Sequence, residues 1–324
     1  QRPEPAPGPT VTVERARLDQ RSGARGAELE VELELRSSLG GDYRLRAPVG
    51  AALQRVELDG APQTRPEQDG EVVLPLHPGV QRARIAWQLG ADGGFWTTTA
   101  PLALPTPATN IELGLQLPAD RWPLWVRGPD LGPALLYWGV LGVVVAVAIA
   151  LGLAVRRWRL SIPLSIGQWL LLGIGMSTIN TAGSLAVVAW FFALEARRRK
   201  LPERPLTHNL IQLALIVLTL IAVASLAYTI PQSLLAAPDM QVTGNGSSHL
   251  DYRWYQDRTQ TGLPQGAVFS LPLWSYRLAM LAWSLWFAFA LLGWARWGWD
   301  CLTQGGLWRR GAARTTGEPP AAGS

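Results

Sequence analysis

Hydrophobic and polar residues alternate strictly in several short segments of the first half of the chain. In residues 28–35, glutamate occupies every second position and Leu or Val fills the positions between. This period predicts a strand with one buried and one solvated face. The same period recurs, in places weakly, at residues 11–13, 43–47, 56–58, 83–89 and 111–117. Gly- and Asp-containing turn sequences separate these segments, so we expect an antiparallel β-sandwich over residues 10–120.

A second pattern begins after residue 131, where long apolar runs replace the alternation. An α-helix needs ~20 apolar residues to cross a bilayer. The expected spans lie at residues 135–155, 162–177, 181–196, 208–230 and 272–294. The fold class predicted from both patterns is an α+β membrane protein, in which an N-terminal antiparallel β-sandwich precedes a transmembrane bundle of about five helices within residues 134–299.

The stretch from residue 162 to 194 is the least regular part of this bundle. Two helices joined at residues 177–183 would have about 15 residues each, or roughly 23 Å, against a hydrocarbon core of ~30 Å. We expect two short crossings. A re-entrant hairpin shielded by neighbouring helices is the alternative.

Clusters of basic residues flank the apolar runs at residues 156–159, 197–200 and 296–314. Loops rich in Lys and Arg stay on the cytoplasmic side, so all three clusters mark the inside and residues 1–130 are expected outside. Lys200 is the single lysine among many arginines, a bias typical of a GC-rich bacterial genome. The prediction is a multi-pass protein of the bacterial inner membrane with a periplasmic or extracellular N-terminal domain and a cytoplasmic C-terminus.

The remaining segments connect these parts. Residues 1–9 have the composition of a Pro-rich linker, so we expect a fragment of a longer protein. Residues 121–133 are expected to be an interfacial connector, where Trp122 and Trp125 lie at the headgroup level or else cap the β-domain core. An outer loop is expected at residues 237–270. Residues 300–324 are expected to be a largely disordered cytoplasmic tail.

Composition narrows the choice of function. The formal net charge is +5, but the positive residues flank apolar segments, so no nucleic-acid partner is expected. Cys301 is the only cysteine, which rules out an intrachain disulfide. His77 and His208 lack the companions that a metal needs, and no cofactor is expected. The sequence contains no Walker A pattern, HExxH pattern or nucleophile elbow.

Ionisable residues within or beside the spans are few. Glu195 and Arg277 are expected to reach water by snorkelling, and Gln168, Asn180 and Gln212 to bond between helices. Without a chain of buried carboxylates, an ion-coupled transporter is not favoured.

Polar residues collect in the outer loop. His249 and Asp251 are candidates for an acid/base pair, and Tyr252 and Trp254 for a platform that stacks on a sugar or lipid headgroup. Residues 249–255 also alternate with period two, which favours a solvated strand or hairpin that docks by its aromatic side. Gly244-Asn245-Gly246 predicts a tight turn. The candidate binding residues are Asn245, His249, Asp251, Tyr252, Trp254, Tyr255, Asp257 and Arg258.

The predicted β-domain, the segment from Arg121 to Trp138 and the run from Pro238 to Arg258 together resemble the C-terminal part of large bacterial inner-membrane proteins with a periplasmic β-domain. The resemblance implies a periplasmic domain and a longer parent, and it supplies no catalytic residues.

Three functions follow from these observations. We expect a non-enzymatic anchor or scaffold that presents the β-domain to an envelope protein or to an upstream part of the same chain, with membrane lipids around the bundle. The alternative is a component that handles a lipid or an envelope glycan at the outer face. The third is an enzyme that uses His249 and Asp251.

Overall fold

A computed structural model describes residues 10–308, apart from residues 24, 65–66, 69, 91–93, 177–180, 201–203 and 236–237, and describes only the backbone at residues 67–68, 181 and 229–235. The predicted linker and most of the predicted tail lie outside the described residues. The chain forms two compact units. Unit 1 comprises Gln1–Trp138 and Ala237–Tyr276, and unit 2 comprises Gly139–Ala236 and Arg277–Ser324.

Unit 1 is rich in strands. They are β1 (Val11–Gly23), β2 (Gly26–Ser37), β3 (Gly41–Arg46), β4 (Ala52–Leu58), β5 (Ala61–Pro62), β6 (Glu67–Gln68), β7 (Glu71–Leu76), β8 (Gly79–Leu89), β9 (Trp96–Thr98), β10 (Ala108–Gln116), β11 (Arg121–Arg127), β12 (Ala134–Leu135), β13 (Val242–Thr243), β14 (Asp251–Thr259) and β15 (Ala267–Pro272). Residues assigned from the sequence to a connector therefore include β11, and residues assigned to an outer loop supply β13, β14 and β15.

The largest sheet has seven strands in the order β14-β10-β1-β2-β8-β4-β5. Its pairings are antiparallel except that of β1 with β10, which is parallel. The expectation of a wholly antiparallel arrangement is therefore wrong at this pair. Parallel neighbours need a long crossover instead of a hairpin, and here most of the N-terminal strands lie between β1 and β10 along the chain. Smaller sheets have the orders β3-β7-β6, β11-β15-β9 and β12-β13.

The alternation predicted for residues 28–35 is confirmed in β2. Leu29, Val31, Leu33 and Leu35 are buried, whereas the glutamates between them face solvent or are half-buried. The same core cluster contains residues of β3 and β7, such as Leu45 and Leu74. Burying each such side chain contributes about 1.5–3 kcal/mol, so the period-two pattern determines which face of each strand turns inward.

The described residues form five helices, α1 (Tyr137–Arg157), α2 (Ile166–Met176), α3 (Thr181–Arg199), α4 (Pro205–Leu235) and α5 (Leu273–Thr303). Three described segments are long and apolar enough to cross a membrane: Tyr137–Arg157, Pro205–Tyr228 and Leu273–Thr303. This composition indicates a membrane protein. Helix α4 continues to Leu235, beyond the expected span end at residue 230, and α5 extends past residue 294 into residues assigned to the tail.

Helix α2 is too short to cross a bilayer unaided. Its 11 residues span about 17 Å at 1.5 Å per residue. Its Leu171 carbonyl accepts a hydrogen bond from Trp283 Nε1 at 2.8 Å, and its Met176 carbonyl accepts one from Ser184 Oγ at 3.4 Å. One side chain of α5 and one of α3 thus donate hydrogen bonds to backbone carbonyls of this short helix. Of the predicted joint at residues 177–183, residues 177–180 lie outside the described residues, and residues 181–183 belong to the first turn of α3.

Candidate functional site: the charged face of the seven-stranded sheet

The face of the seven-stranded sheet that points away from the core is densely charged. Period-two alternation places apolar side chains on the inner face, so the residues between them share the outer one. We call this outer surface the charged face. Its ionisable residues on β1, β2, β4, β8 and β10 include Arg15, Arg17, Asp19, Arg21, Glu28, Glu30, Glu32, Glu34, Arg36, Arg55, Glu57, Arg82, Arg84 and Glu112.

The strand register sets many of these residues opposite a residue of the other sign, although Asp19 lies opposite Glu30. One row across the sheet runs Glu112, Arg17, Glu32, Arg84, Glu57, each residue directly opposite the next on the neighbouring strand. Directly opposed side chains lie within about 4.5–5.5 Å at Cβ, close enough to interact. Acidic and basic groups therefore alternate along the whole row.

Hydrogen bonds within the charged face follow this order. Arg84 Nε donates to Glu32 Oε1 at 2.8 Å and lies 3.3 Å from Glu30 Oε1. The hydrogen bond to Glu32 is the main reason that the pKa of Arg84 is raised. Arg17 Nε donates to Asp19 Oδ2 at 2.7 Å, and the charge of Asp19 raises the pKa of Arg17. Both guanidinium groups are therefore fixed cations.

The charged face is hollowed. An open depression of about 600 Å³ lies over β1, β2, β4, β8 and β10. Its lining includes Arg17, Glu32, Arg84 and Glu112 of the alternating row, with Gly60 at one side. Its volume is in the range of ligand pockets, but its charged lining differs from the mostly apolar lining of small-molecule sites.

Two of the predicted binding residues, Tyr255 on β14 and Asn245 between β13 and β14, lie beside the charged face. Asn245 and Tyr255 line a smaller hollow of about 240 Å³ together with Arg17, Asp19 and Arg253. This edge of the sheet therefore joins the charges of β1 to the polar residues of β14.

Hydrogen bonds hold both residues at this hollow. Tyr255 donates from its hydroxyl to Asn110 Oδ1 at 3.1 Å, and Asn245 Nδ2 donates to the Leu131 carbonyl at 2.8 Å. Partial desolvation and the nearby carboxylate of Asp257 raise the pKa of Tyr255. The turn predicted at Gly244-Asn245-Gly246 is confirmed, because Ser247 N–H donates to the Gly244 carbonyl at 2.8 Å.

The proposed acid/base pair is not assembled. Asp251 Oδ2 accepts from Arg253 Nη2 at 3.0 Å, and among the described residues no hydrogen bond joins it to the His249 imidazole. His249 contributes its backbone carbonyl, which accepts from the Tyr252 hydroxyl at 2.9 Å. Arg253 is therefore the hydrogen-bond partner of the Asp251 carboxylate within the described part of the chain.

Tyr252 and Trp254 are core residues, which contradicts their assignment to an exposed stacking platform. They are 0% and 2% exposed. Because β14 pairs with β10, alternate side chains in the first half of β14 enter the core. The alternative of a loop docked by its aromatic side is the one observed. Asp257 and Arg258 are exposed near the end of β14, and neither side chain lines the hollow that Asn245 and Tyr255 line.

Sequence reasoning missed most of the charged face. The alternation of Arg82 and Arg84 with apolar residues was visible, and so was the glutamate run of β2. Their juxtaposition depends on the pairing of β2 with β8, which periodicity alone does not reveal.

A second polar cluster is buried in unit 2. The expectation that Glu195 snorkels to water is wrong, because its side chain is 3% exposed. Its Oε1 accepts from Ser161 N at 3.0 Å and from Arg199 Nε at 2.9 Å. Arg199 also donates to the Arg159 carbonyl at 2.6 Å. The end of α3 is thereby tied to the connection between α1 and α2.

Neighbouring buried side chains cap the end of α5. Gln212 Nε2 donates to the Leu302 carbonyl at 3.0 Å, and Arg197 Nη2 donates to the Gln304 carbonyl at 3.3 Å. His208 Nε2 lies 3.1 Å from the Gly306 carbonyl oxygen. Carbonyls at a helix C-terminus lack intrahelical partners, so these contacts have a structural explanation. Within the described part of the chain, no group of three or more His, Cys, Asp or Glu residues is arranged to hold a metal.

No protein-family model and no curated protein matches the chain. Solved structures match in part. An M1 zinc metallopeptidase from Deinococcus radiodurans is 16% identical, with a TM-score of 0.28 over 38% of this chain and 35% of that chain. Aminopeptidase A from Legionella pneumophila in complex with aspartic acid is 10% identical, with a TM-score of 0.31 over 39% of this chain and 18% of that chain. The chain thus corresponds to about a third or less of each structure's length, and these matches indicate neither a shared fold nor an activity.

Proposed function

We propose that the chain is a protein of the bacterial inner membrane that anchors a periplasmic β-sandwich and presents the charged face to an envelope protein or to an upstream part of the same chain. The basic residues support this orientation. Arg156 and Arg157 lie in the last turn of α1, and Arg197–Arg199 in the last turn of α3. Basic helix ends favour the cytoplasmic side, which assigns the start of α1, and unit 1 with it, to the outside.

The charged face is the observation that carries the proposal. Solvent-exposed ion pairs contribute only about 0–1 kcal/mol each to folding, so stability alone does not account for so many of them. The Arg84 and Glu32 side chains are 51% and 43% exposed. Ordered rows of alternating charge suit a protein surface with the complementary order, because such matching sets specificity and association rate.

The core supports a sandwich. The β3-β7-β6 sheet contributes Leu45 and Leu74 to the same buried cluster as Leu29 and Leu33 of the seven-stranded sheet. Two sheets that share one core across their inner faces are the arrangement of a β-sandwich.

The other two functions have less support. Among the residues that the structure describes, no hydrogen bond joins the side chains of His249 and Asp251, and Tyr252 and Trp254 are buried. We therefore propose a binding role in which neither pair acts chemically.

Site-specific photocrosslinking in intact cells tests the partner. A photoreactive residue replaces Arg82, whose side chain is 80% exposed on the charged face, or Val49, which is 98% exposed elsewhere. We expect a discrete protein adduct from position 82 and none from position 49. Arg84→Glu should abolish the adduct. Arg46→Glu, a matched reversal at a 79% exposed side chain outside the charged face, should preserve it. No adduct from position 82, or equal adducts from both positions, would contradict the proposal.

Reporter fusions test the orientation. Fusions after Arg159 and Lys200 should report the cytoplasm, and a fusion after Ser248 the outside. Two short crossings and a re-entrant pair both return Lys200 to the cytoplasm, so an outward signal there would contradict both topologies.

A further inference from the structure

Aromatic side chains form a row across the sheet of β11, β15 and β9. Trp125 lies opposite Phe269, which in turn lies opposite Trp96. The ring centroids of Trp96 and Phe269 are 5.3 Å apart, and Phe95 lies 6.3 Å from Phe269. We call Phe95, Trp96, Trp125 and Phe269 the aromatic face.

The aromatic face is open, although the opposite side of the same sheet is buried. Phe95, Trp96 and Trp125 are 58%, 43% and 59% exposed. On the other side, Val268 and Thr97 are 0% and 3% exposed. One side of this sheet is therefore buried, and the large aromatic rings lie on the other side. Clustered exposed apolar groups of this kind mark an interaction surface.

The sheet that carries the aromatic face also holds the first turns of two candidate spans. Trp138 of α1 donates its Nε1–H to the Leu124 carbonyl of β11 at 2.8 Å. Tyr276 of α5 packs edge-on against Trp122 of β11, with centroids 5.1 Å apart. The Leu273 N–H donates to the Asp120 carbonyl at 2.7 Å.

These contacts lie within unit 1, which includes the first residues of α1 and α5. They fix the aromatic face beside the points where both helices begin. Trp274, in the first turn of α5, is 63% exposed, as is typical of an aromatic residue at a membrane interface. The surroundings of the aromatic face are thus those of a helix entry into a bilayer.

A basic hollow adjoins the aromatic face. It measures about 550 Å³ and is lined in part by Trp96, Thr98, Arg127 and Gln265. Arg127 is exposed, and no ion pair within the described residues involves it. A guanidinium group matches the geometry of phosphate oxygens, and Trp combines an apolar ring with a polar N–H suited to the headgroup layer.

We propose that the aromatic face lies in the headgroup layer of the bilayer that α1 and α5 enter, with Arg127 contacting lipid phosphate. The occupant is a phospholipid surface. This contact is separate from the charged face and does not depend on a protein partner. It anchors unit 1 against the membrane at a second place besides the helices.

Spin labels on the full chain in phospholipid nanodiscs test this contact. A single cysteine replaces Trp125, Phe95 or Arg82 in a Cys301→Ala background, and each carries a nitroxide. Collision with oxygen, which concentrates in lipid, is compared with collision with a water-soluble nickel chelate. We expect the ratio of oxygen to nickel collisions to be several-fold higher at positions 125 and 95 than at position 82 on the charged face.

Two outcomes would overturn the proposal. Equal ratios at all three positions would show that water covers the aromatic face. Protection from both reagents, with dipolar broadening between labelled chains, would show that a second copy covers it. Positions 125 and 95 report independently, so a folding defect in one variant leaves the other as the test.

Discussion

Gly114 on β10 lies directly opposite Asp19 on β1, and the missing side chain of Gly114 makes room for the Asp19 carboxylate. A Cβ at Gly114 would lie 2.2 Å from Asp19 Oδ1. The glycine thereby preserves the hydrogen bond from Arg17 to Asp19 at this end of the charged face. This relationship explains a glycine in a strand interior, where Gly is destabilising by roughly 0.5–1 kcal/mol relative to Ala.

The effect of Gly114→Ala on stability should therefore depend on the residue at position 19. Gly114→Ala alone should destabilise the protein by about 1–2 kcal/mol, because the Asp19 carboxylate must move. In an Asp19→Ala background the same change should be neutral or stabilising by up to about 1 kcal/mol. Unfolding of the detergent-solubilised full chain by denaturant measures all four variants. Equal effects in both backgrounds would contradict the steric explanation.

Glycines enclose Trp254, and this packing leads to a second prediction about stability. A Cβ at Gly128 would lie 2.2 Å from Trp254 Nε1, and one at Gly266 would lie 2.7 Å from Trp254 Cε3. The indole is buried and cannot turn aside, so Gly128→Ala and Gly266→Ala should each cost about 1–3 kcal/mol.

Gly90 provides the matched control for these glycines. A Cβ there meets nothing within 4 Å, and Gly90→Ala should leave the unfolding midpoint within experimental error. If all three variants behaved alike, Trp254 would not be confined as described.

Alternation made part of this fold predictable from the sequence. It identified β2 and the inner residues of β14, because a side chain's face depends only on its position along a strand. The apolar runs likewise indicated the helices at residues 137–157 and 273–303. The local sequence pattern determines both the buried face of a strand and the position of an apolar helix.

Register and long-range pairing were not predictable. The row from Glu112 to Glu57 exists because β10 lies parallel to β1 and because β2, β8 and β4 follow β1 in the sheet. The burial of Trp254 follows from the pairing of β14, from much later in the chain, with β10. Glu195 lies beside a basic cluster, so proximity in sequence favoured water over the buried contact with Ser161.

Tyr252 should make unit 1 sensitive to alkaline pH. Burial raises the pKa of its hydroxyl above the ordinary value of 10.0. The neutral form is therefore favoured in the folded state, and this stability is present below pH ~10 and lost as pH rises above it. Tyr252→Phe removes the hydrogen bond to the His249 carbonyl and should cost about 0.5–1.5 kcal/mol at pH 8.

The comparison between pH 8 and pH 11 separates the titration of the Tyr252 hydroxyl from the loss of its hydrogen bond. The unfolding free energy of the wild-type protein should fall more between these pH values than that of Tyr252→Phe. Far-ultraviolet circular dichroism against denaturant gives both values. A variant with the wild-type pH dependence would show that Tyr252 does not titrate on unfolding.

Glu195 should be more important for stability than its basic neighbours. Its buried carboxylate accepts hydrogen bonds from Ser161 N and Arg199 Nε. Glu195→Ala leaves the Ser161 N–H without this acceptor and should cost about 1–3 kcal/mol, whereas Glu195→Gln keeps an acceptor oxygen and should cost less. Arg198 is exposed and takes part in neither of these hydrogen bonds. The free energy of unfolding of Arg198→Ala should therefore stay within about 0.5 kcal/mol of the wild-type value. Thermal unfolding in detergent ranks the variants by stability. If Arg198→Ala lost as much stability as Glu195→Ala, the charge of the basic cluster, and not the buried carboxylate, would hold the end of α3.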